Sequence, residues 1–445
     1  MVIMNNAQLQ GQDYDSIYPP DGVSLQPFLH QVSGRAIMMC LNETTVCKPL
    51  NFREYYFYQS LPTDILQYTP QYKGVVNVNI EETKDGTIAL TAFPSHNDEN
   101  DQIDKKEENS QLSLSQITTT NKNNKNVSND SCKRLITQVH SAGERSSRKR
   151  IRLKRTGSLC IERSDGSLDN DIEKSTQKPR FNPWTLKVYK EGLTRHLHST
   201  NKVVQKCILL ENVASRFKCP CILDLKMGTR VHGDFDDDAK RQRHLEKCAK
   251  STTQSLGVRL AGMQVYRHES GTFLCRNKYF GRSLTVEGFG KTLREFFYNG
   301  YKMRIDLIQP IINNLRSLIK KLNKLPSYRF YSSSLLVMYD GMSEDVQNCG
   351  SDKISEKSNK DFSTKASDQD ETLSSREDDD NIQSTENEEI VSGSESVDVR
   401  MIDFAKSTHG NMDASIIHKG PDKGYIFGLE SLIEVLNNII IEDLQ

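Results

Sequence analysis

Apolar residues alternate with polar ones, or run together, through the first ordered part of the chain. In GRAIMMCLNETTVCKPL this pattern predicts two strands around a turn at Asn42 and Glu43, and GVVNVNI and GTIALTAF predict two more. Asn51, with Glu54 three residues later, predicts a helix N-cap box before YYFYQSL. The pattern therefore indicates a globular piece at residues 23–92, after a flexible N-terminus at 1–22.

A second set of apolar segments extends from residue 181 to residue 342. Strands are predicted at QKCILLENV, CILDLK, VRLAGMQVY and TFLCRNKYF, and helices near 236–252, 285–298 and 303–324. A last piece at 400–445 contains the short strand DVRMIDFA and FGLESLIEVLNNIII, whose apolar residues recur at helical spacing. Together the ordered pieces predict an α+β fold.

Two polar stretches separate these pieces. Residues 93–180 are rich in Asn, Ser, Asp, Lys and Gln with almost no aromatic residues, and 343–399 contains seventeen Asp or Glu against five Lys or Arg. Such segments cannot bury enough apolar surface to fold, and long insertions cost a loop-closure entropy that grows slowly with length. Both are predicted to be disordered insertions, so the formal net charge of zero hides strongly charged blocks.

Composition narrows the class of protein. The N-terminus lacks the pattern of a signal peptide, and nowhere do eighteen apolar residues run together, so we expect a soluble intracellular protein with no membrane span. The ten cysteines are scattered, which predicts reduced thiols. Cys219 and Cys221 form a C-P-C, but no second Cys/His pair completes a zinc site.

Four ordered segments place a charge inside or at the end of an apolar strand: TVCKPL, CILDLKMG, YSSSLLVMYDG and MIDFAKSTH. In PCILDLKMGTR, Asp224 and Lys226 are two residues apart, so both side chains would lie on one face of a strand. A buried charge is costly unless it is paired or used. Taken singly, such a lysine more often reaches solvent, and such an aspartate more often caps a turn.

Taken together, the segments match what a nucleotide-dependent kinase needs. A strand lysine for ATP phosphates, a hinge strand and a late aspartate for magnesium occur in that order as Lys48, LLENV at 209–213 and Asp403. The sequence has no GxGxxG loop, no G-x-x-x-x-G-K-[ST] and no HRD, which argues against ordinary protein kinases and P-loop enzymes. The missing HRD motif, which would supply a general base, is consistent with a nucleophile that is itself an ionised phosphate. For such a nucleophile the obstacle is charge repulsion between the attacking and the transferred phosphate.

A group of cations follows the DLKMG segment. In FDDDAKRQRHLEKCAK, residues Lys240, Arg243, His244 and Lys247 have the spacing of one helix face, and the acids before them favour a helix N-terminus. The alternative is an ordinary solvated charged face. Its position directly after DLKMG favours a site for a polyanion.

These motifs resemble those of a known family. PCILDLKMG fits the P-x-x-x-D-x-K-x-G motif of the inositol polyphosphate kinases, and SSLL at 333–336 and IDFA at 402–405 fit two further motifs. PFLHQVSG, TVCKPL, YKGVV, LLENV, LGVRLAGMQVY, CRNKYFGR and GPDKGYIFGLE are similar to the inositol hexakisphosphate kinase branch. Ala405 stands where the trisphosphate kinases and multikinases usually carry glycine. The resemblance covers nearly all of the ordered sequence and neither insertion.

The resemblance implies a two-lobed fold of the protein-kinase-like or ATP-grasp-like kind, with ATP between the lobes. The N-lobe would comprise 23–92 and be completed, with the hinge, by 181–215. The C-lobe would comprise 216–342, with an inositol-phosphate-binding helix, and be completed by 400–445.

The resemblance also implies roles for residues. ATP would be bound by Lys48, Glu211, Asn212, Val213, Asp224 and Asp403, and Asp403 would ligate Mg²⁺. Lys226 and Asp403 would be catalytic. The substrate would be bound by Lys226, Lys240, Arg241, Gln242, Arg243, His244, Leu245, Glu246, Lys247 and Lys406, although the family often has another residue at position 406.

The implied activity is transfer of the ATP γ-phosphate to inositol hexakisphosphate, or to the pentakisphosphate, giving a diphosphoinositol product. Two alternatives stay open: an inositol multikinase or trisphosphate kinase acting on ring hydroxyls, and a non-catalytic inositol-phosphate-binding scaffold. Damage to the nucleotide-binding residues would favour the scaffold, and they are all present.

The basic run RSSRKRIRLKR at 145–155 has three interpretations: a nuclear import signal, a patch for nucleic acid or acidic lipid, or a solvated charge run. Import is favoured because no aromatic residues are interleaved to stack bases. We therefore expect a monomer in cytoplasm and nucleus, with an import receptor as a partner and no specific nucleic acid.

Overall fold

The computed structural model describes residues 22–84, 86–95, 135–136, 150–154, 159–162, 168–169, 181–197, 203–342, 396–412 and 418–445. These residues form two antiparallel sheets, and the chain passes from one to the other between Glu211 and Pro220. We refer to the two sheets with their helices as the N-lobe and the C-lobe. The α+β fold class and its division into two lobes agree with the prediction.

The N-lobe sheet comprises β1 Val23–Ser24, β2 Gln26–Pro27, β3 Met39–Asn42, β4 Thr45–Pro49, β5 Tyr72–Glu82, β6 Thr87–Pro94, β7 Arg150–Lys154, β8 Leu159–Glu162, β9 Leu168–Asp169 and β10 Val203–Glu211. Its order is β2-β3-β4-β10-β5-β6-β7-β8-β9, with β1 paired to β6. The late strand β10 lies between β4 and β5, so it joins the sheet's first and second hairpins.

The C-lobe sheet comprises β11 Pro220–Met227, β12 Val258–Arg267, β13 Thr272–Arg276, β14 Ser334–Asp340 and β15 Val397–Ile402, in the order β13-β12-β11-β14-β15. Seven of the eight residues of β11 are buried, because neighbouring strands flank it on both sides. Lys226 is the half-buried exception. The DLK segment is thus at the centre of the sheet.

The helices are α1 Phe52–Gln59, α2 Thr63–Leu66, α3 Pro183–Leu197, α4 Asp238–Ala249, α5 Thr253–Leu256, α6 Lys278–Arg282, α7 Val286–Phe297, α8 Ile308–Leu322 and α9 Lys423–Asp443. The apolar faces of α7 and α8, including Phe289 and Phe296 of α7 and Ile311 and Leu315 of α8, are fully buried in the core of the C-lobe. This core supports one face of the C-lobe sheet.

Helix α9 has the length and apolar composition of a membrane-spanning helix; no other helix in the described ranges meets both criteria. Its residues Leu429, Leu432 and Leu436 are at most 2% exposed and lie in the C-lobe core. This packing accounts for its apolar composition. The absence of a membrane span stays a prediction.

The insertion predicted at 93–180 contains regular structure, and the prediction is wrong for part of it. Strand β7 lies within the basic run 145–155 and pairs with β6, and β8 and β9 extend the sheet further. Because β1 pairs with β6 only at Thr91 and Ala92, the start of β6 at Thr87 and Ile88 would otherwise be an unpaired edge, and its backbone groups provide a template for such strands. The other residues between 96 and 180 lie outside the described residues.

Three smaller boundaries also differ from the predictions. Strand β15 begins at Val397, inside the predicted acidic insertion 343–399. The residues of that insertion up to 395 lie outside the described ranges, and so do residues 1–21 of the predicted flexible N-terminus. The strand predicted at TFLCRNKYF ends at Arg276, because the Asn277 side chain accepts from the Tyr279 and Phe280 amides and caps α6. The first hairpin turns at Glu43 and Thr44, one residue later than predicted.

Candidate active site

A cavity of about 330 Å³ lies between the two lobes, within the size range of small-molecule sites. The N-lobe contributes Lys48 and Tyr58, the connection between the lobes contributes residues 211–214, and the C-lobe contributes Lys226 and Asp403. Residues that are far apart in the sequence therefore meet here.

Strand β4 places Lys48 at the inner end of the cavity. Its Nζ lies 2.8 Å from Oε1 of Glu54 and 2.8 Å from Oδ1 of Asp403. Burial alone lowers the pKa of Lys48, but Asp403 and Glu54 together raise it well above its usual value. Lys48 is therefore a permanent cation whose position is set by one acid from each lobe.

Asp403 is the residue that links the two lysines of the site. Its Oδ1 accepts from Lys48 and its Oδ2 lies 2.8 Å from Nζ of Lys226. Burial raises the pKa of the Asp403 carboxyl, but Lys226 and Lys48 outweigh it and hold the pKa well below its usual range. The next residue, Phe404, is fully buried and stacks on Phe57 with ring centroids 4.9 Å apart. This packing anchors Asp403 to helix α1.

Backbone strain is concentrated around Lys226. The carbonyl of Ser332 accepts from Nζ of Lys226 at 2.9 Å. Ser332 and Asp403, with φ of 60° and 67°, are the two residues other than glycine that have positive φ in the described part of the chain. Strained residues of this kind persist where the surroundings fix them, and they cluster at functional sites. Both of them hold the Lys226 ammonium in place.

Asp224 faces the same cavity as Lys226, as their spacing on one strand predicts. Its side chain is buried and accepts a hydrogen bond from the hydroxyl of Ser33. The loop carrying Ser33 can approach only because residue 262 is glycine: a Cβ there would lie 2.1 Å from the Val32 carbonyl oxygen. Burial raises the pKa of Asp224, although Lys226 opposes the rise.

The connection between the lobes forms the opposite wall. Glu211, Asn212 and Val213 line the cavity there. The Asn212 side chain donates to the Glu43 carbonyl at 2.7 Å, and the Glu211 carboxylate accepts from the Gln71 amide at 3.0 Å. In contrast, the N–H of Val213 has no acceptor among the residues the structure describes. The side chains thus fix the hinge and leave backbone groups to meet a ligand.

The surface next to the hinge is apolar. It consists of Val32, Ala214, Ile222, Leu336 and Met338, which belong to one small cluster of buried side chains. A flat apolar slot beside free backbone groups suits a heteroaromatic ring.

Asp403 is also the residue that could hold a metal ion. Within the described ranges, no three His, Cys, Asp or Glu side chains are grouped as a metal site. Magnesium, however, usually takes only one or two protein carboxylates and completes its shell with phosphates and water. The single, partly exposed Asp403 carboxylate at the inner end of the cavity fits that pattern.

Comparison with known proteins agrees with this geometry. A family profile described as inositol polyphosphate kinase matches residues 207–437. Inositol hexakisphosphate kinase 1 of Homo sapiens is 40% identical over 94% of this chain and 94% of its own. Kinase 2 of Oryctolagus cuniculus is 39% identical, covering 94% and 95%, and kinase 3 of Homo sapiens is 38% identical, covering 94% and 96%. The chain belongs to the inositol polyphosphate kinase family.

A search of solved structures also finds a similar protein. It is an inositol phosphate multikinase of S. cerevisiae in complex with ADP and Mn²⁺, 21% identical, covering 53% of this chain and 84% of that chain with a TM-score of 0.38.

In this inositol polyphosphate kinase, His244 of α4 is connected to the cavity through Lys406. The Lys406 ammonium, which lines the cavity, lies 2.6 Å from Oδ2 of Asp236 and 3.0 Å from Nε2 of His244. Lys240 pairs with Oδ1 of the same aspartate at 2.7 Å. Burial, and then Lys406, lower the pKa of His244 to about 4, so this histidine is neutral near pH 7. We call Lys240, His244, Lys406 and Asp236 the paired basic group.

The other predicted residues of α4 occupy different positions. Arg243 and Lys247 face a second set of cations, described below. Arg241 pairs with Asp238 at 3.7 Å. Gln242, Leu245 and Glu246 are exposed and do not line the cavity, so contacts from these three to the substrate stay a prediction.

Sequence reasoning missed several residues of the site. Glu54 was assigned to a capping box, and the Asn51 side chain does accept from the Glu54 amide, but the Glu54 carboxylate is buried against Lys48 and accepts from the Phe404 amide. Its position in the first turn of the helix that follows a strand lysine was the available signal. Ser33, Asp236, Arg35, Arg259 and Arg282 lie within segments quoted above, but none received a role, because no spacing within one segment connects them to the site.

Proposed function

We propose that this protein transfers the γ-phosphate of ATP to a phosphate of inositol hexakisphosphate, forming diphosphoinositol pentakisphosphate. The observation that carries the proposal is the meeting of Lys48, Lys226 and Asp403 at 2.8 Å, opposite the hinge residues 211–213. Curated relatives with 37–40% identity over 94% of the chain are inositol hexakisphosphate kinases. The pentakisphosphate is a second acceptor of the same chemistry.

The two lysines are arranged to offset charge during transfer. An ammonium group has three donors, and Lys48 and Lys226 each use two of them within the site. Each therefore keeps one N–H for a phosphate oxygen. Because their positions are fixed before ATP binds, little reorganisation is needed at the moment of transfer.

Asp403 would hold Mg²⁺, which when bound supplies positive charge to the ATP phosphates. The Val213 N–H and the Glu211 carbonyl would bind adenine, and Asp224, held by Ser33, would bind the ribose. These assignments extend the family resemblance onto groups that line the cavity.

The acceptor explains the absence of a general base. Six phosphomonoesters at about 1.5–2 charges each give roughly 9–12 negative charges on one ring. An ionised phosphate is already a nucleophile, so the site must mainly bring like charges together. A multikinase acting on ring hydroxyls remains the alternative enzyme. The scaffold alternative is disfavoured because every predicted nucleotide-binding residue lies at the cavity.

The test is a transfer assay with purified protein, Mg²⁺, labelled ATP and a panel of inositol phosphates. We expect label in the hexakisphosphate product, and its loss with Asp403→Ala. A preference for inositol trisphosphate would establish the multikinase alternative. Transfer to no member of the panel would leave only the scaffold.

We also propose that the protein is a monomer of cytoplasm and nucleus, imported through the basic run 145–155. Residues 150–154 of that run lie in β7, so the variant of choice is Arg148→Ala with Lys149→Ala, which leaves that strand's sequence intact. Loss of nuclear signal from a fluorescent fusion would support import. Unchanged distribution would reject it, and light scattering of the purified protein tests the oligomeric state.

A further inference from the structure

Five cations lie on and around α4, grouped about Lys247. They come from the loop before β3, from α4, from β12 and from α6: Arg35, Arg243, Lys247, Arg259 and Arg282. We call these five residues the unpaired basic cluster. Burial lowers the pKa of Lys247, and repulsion from the other four lowers it further. Arg282 and Arg259 likewise repel one another.

Within the described part of the chain, these five residues have no acidic partner. Across the described ranges, none of the five forms an ion pair, whereas Lys48, Lys226, Lys240 and Lys406 each have one. Cys248 and then Asp224 oppose the lowering of the Arg259 pKa, but neither forms an ion pair with Arg259. The buried Nε atoms of Arg259 and Arg282 also lack an acceptor among the described residues. Such an arrangement is unfavourable unless an anion binds to it.

The cluster is continuous with the active-site cavity. Arg259 lies directly opposite Lys226 in the β11–β12 register, so both side chains lie on one face of the sheet. Arg35 lines the cavity itself. Gly281 lets α6 contact β12, since a Cβ there would lie 2.1 Å from the Leu260 carbonyl oxygen, and this contact brings Arg282 to Arg259.

These contacts define the shape of the ligand. Cations on four separate elements are grouped about Lys247, and three of the five, Lys247, Arg259 and Arg282, are half-buried. A flat membrane surface or an extended nucleic acid would require cations spread over an exposed face. A compact ligand with several phosphates, extending from Lys226, fits this enclosed arrangement.

We propose that the unpaired basic cluster is a phosphate subsite: it holds ring phosphates remote from the transferred group and so selects the most highly phosphorylated inositol substrate. Arg35, Arg259 and Arg282 are then specificity-determining residues in addition to those of α4. This inference rests on the proposed function for the identity of the ligand.

The test compares Arg35→Gln, Arg259→Gln and Arg282→Gln with the wild-type protein. Each variant should raise the KM for inositol hexakisphosphate by roughly tenfold, because one charge-assisted hydrogen bond is lost. The KM for ATP should not change, kcat should change far less than KM, and inositol trisphosphate should be affected less than the hexakisphosphate. Arg294→Gln is the matched control. Arg294 does not line the cavity, and it is already paired with Asp443 at a distance of 3.2 Å.

Calorimetric binding of inositol hexakisphosphate without ATP separates this inference from the proposed function. Weaker binding by the variants supports the subsite even if the wild-type protein transfers no phosphate. Dissociation constants within twofold of wild type, as expected for Arg294→Gln, would overturn the subsite. If the variants weakened the binding of inositol trisphosphate as much as that of the hexakisphosphate, the proposal that the cluster selects the more phosphorylated substrate would be overturned. Arg35 is exposed, so its variant decides the question if substitution of Arg259 prevents folding.

Discussion

Helix α4 carries two interleaved pairs of basic residues, Lys240 with His244 and Arg243 with Lys247, and presents them in opposite ways. In the paired basic group, Asp236 binds both Lys240 and Lys406, and these contacts hold the pKa of Asp236 well below its usual value despite burial. In the unpaired basic cluster, Arg243 and Lys247 face only further cations. The same helix thus fixes some cations in position and leaves others as net positive charge.

The difference separates two tasks. An ion pair fixes geometry but contributes little net charge, which suits groups that must be aligned with a reacting phosphate. Unpaired cations contribute a strong field and bind a polyanion, at a cost in stability. The site of transfer also uses ion pairs to fix geometry, since Asp403 is paired with both Lys48 and Lys226.

The largest effect is expected at the transfer site. Lys226→Ala removes the cation held by Ser332 and Asp403, so kcat should fall by at least about a thousandfold. The melting temperature should change little, because the side chain is half-buried at the cavity and not in the core. Thermal unfolding together with the transfer assay checks both parts. Retention of more than a tenth of the activity would contradict the role of Lys226.

A second large effect is expected at Glu54, a positioning residue. Glu54→Gln keeps an acceptor for the Phe404 amide but loses the charge that pairs with Lys48, so kcat should fall roughly tenfold to a hundredfold. The control is Asn51→Ala, which removes the cap of the same helix and should cost about 1 kcal/mol of stability without affecting kcat. Equal kinetics for the two variants would mean that Glu54 is only structural.

The comparison within α4 can be tested directly. Arg243→Gln, in the unpaired cluster, should raise the KM for inositol hexakisphosphate about tenfold, because no protein acid competes for this cation. Lys240→Gln should raise it less, because Asp236 already binds Lys240. Steady-state kinetics at one salt concentration gives both values. A larger increase in KM for Lys240→Gln than for Arg243→Gln would show that Lys240 leaves Asp236 and binds the substrate instead.

The smallest effect is a pH dependence from Lys278, at the edge of the unpaired cluster. Burial, then Arg35 and Arg282, lower its pKa to about 8, while Lys187 also repels it and Glu191 attracts it. Below pH 8 Lys278 is already charged, but above pH 8 the free protein must take up a proton to bind a polyanion. Affinity for inositol hexakisphosphate should therefore decline above pH 8.

Calorimetry in two buffers of different ionisation enthalpy measures this uptake. Proton uptake should be present at pH 8.5 and absent at pH 6.5. It should disappear in Lys278→Met. Uptake that persists in that variant would assign the titration to another group.

The sequence predicted the parts of the site that lie within single motifs. Asp224 and Lys226 share a strand face, and Lys48 and Asp403 end strands, so local patterns were sufficient. Arg35, Arg259 and Arg282 could not be grouped in this way, because only strand register and the contact of α6 with β12 bring them together. Strands β7–β9 were missed because their composition resembles that of the surrounding polar insertion.

The ion pair between Lys48 and Asp403 joins residues 355 positions apart, and this separation affects how the enzyme matures. A ribosome can complete the N-lobe hairpins β3–β4 and β5–β6 long before Asp403 is made. Until then Lys48 has only Glu54 as an acidic partner, and Lys226 has none. A chain that ends before Asp403 would therefore keep the hinge and both lysines but lose the carboxylate that contacts both of them, so we expect truncated products to be inert as kinases.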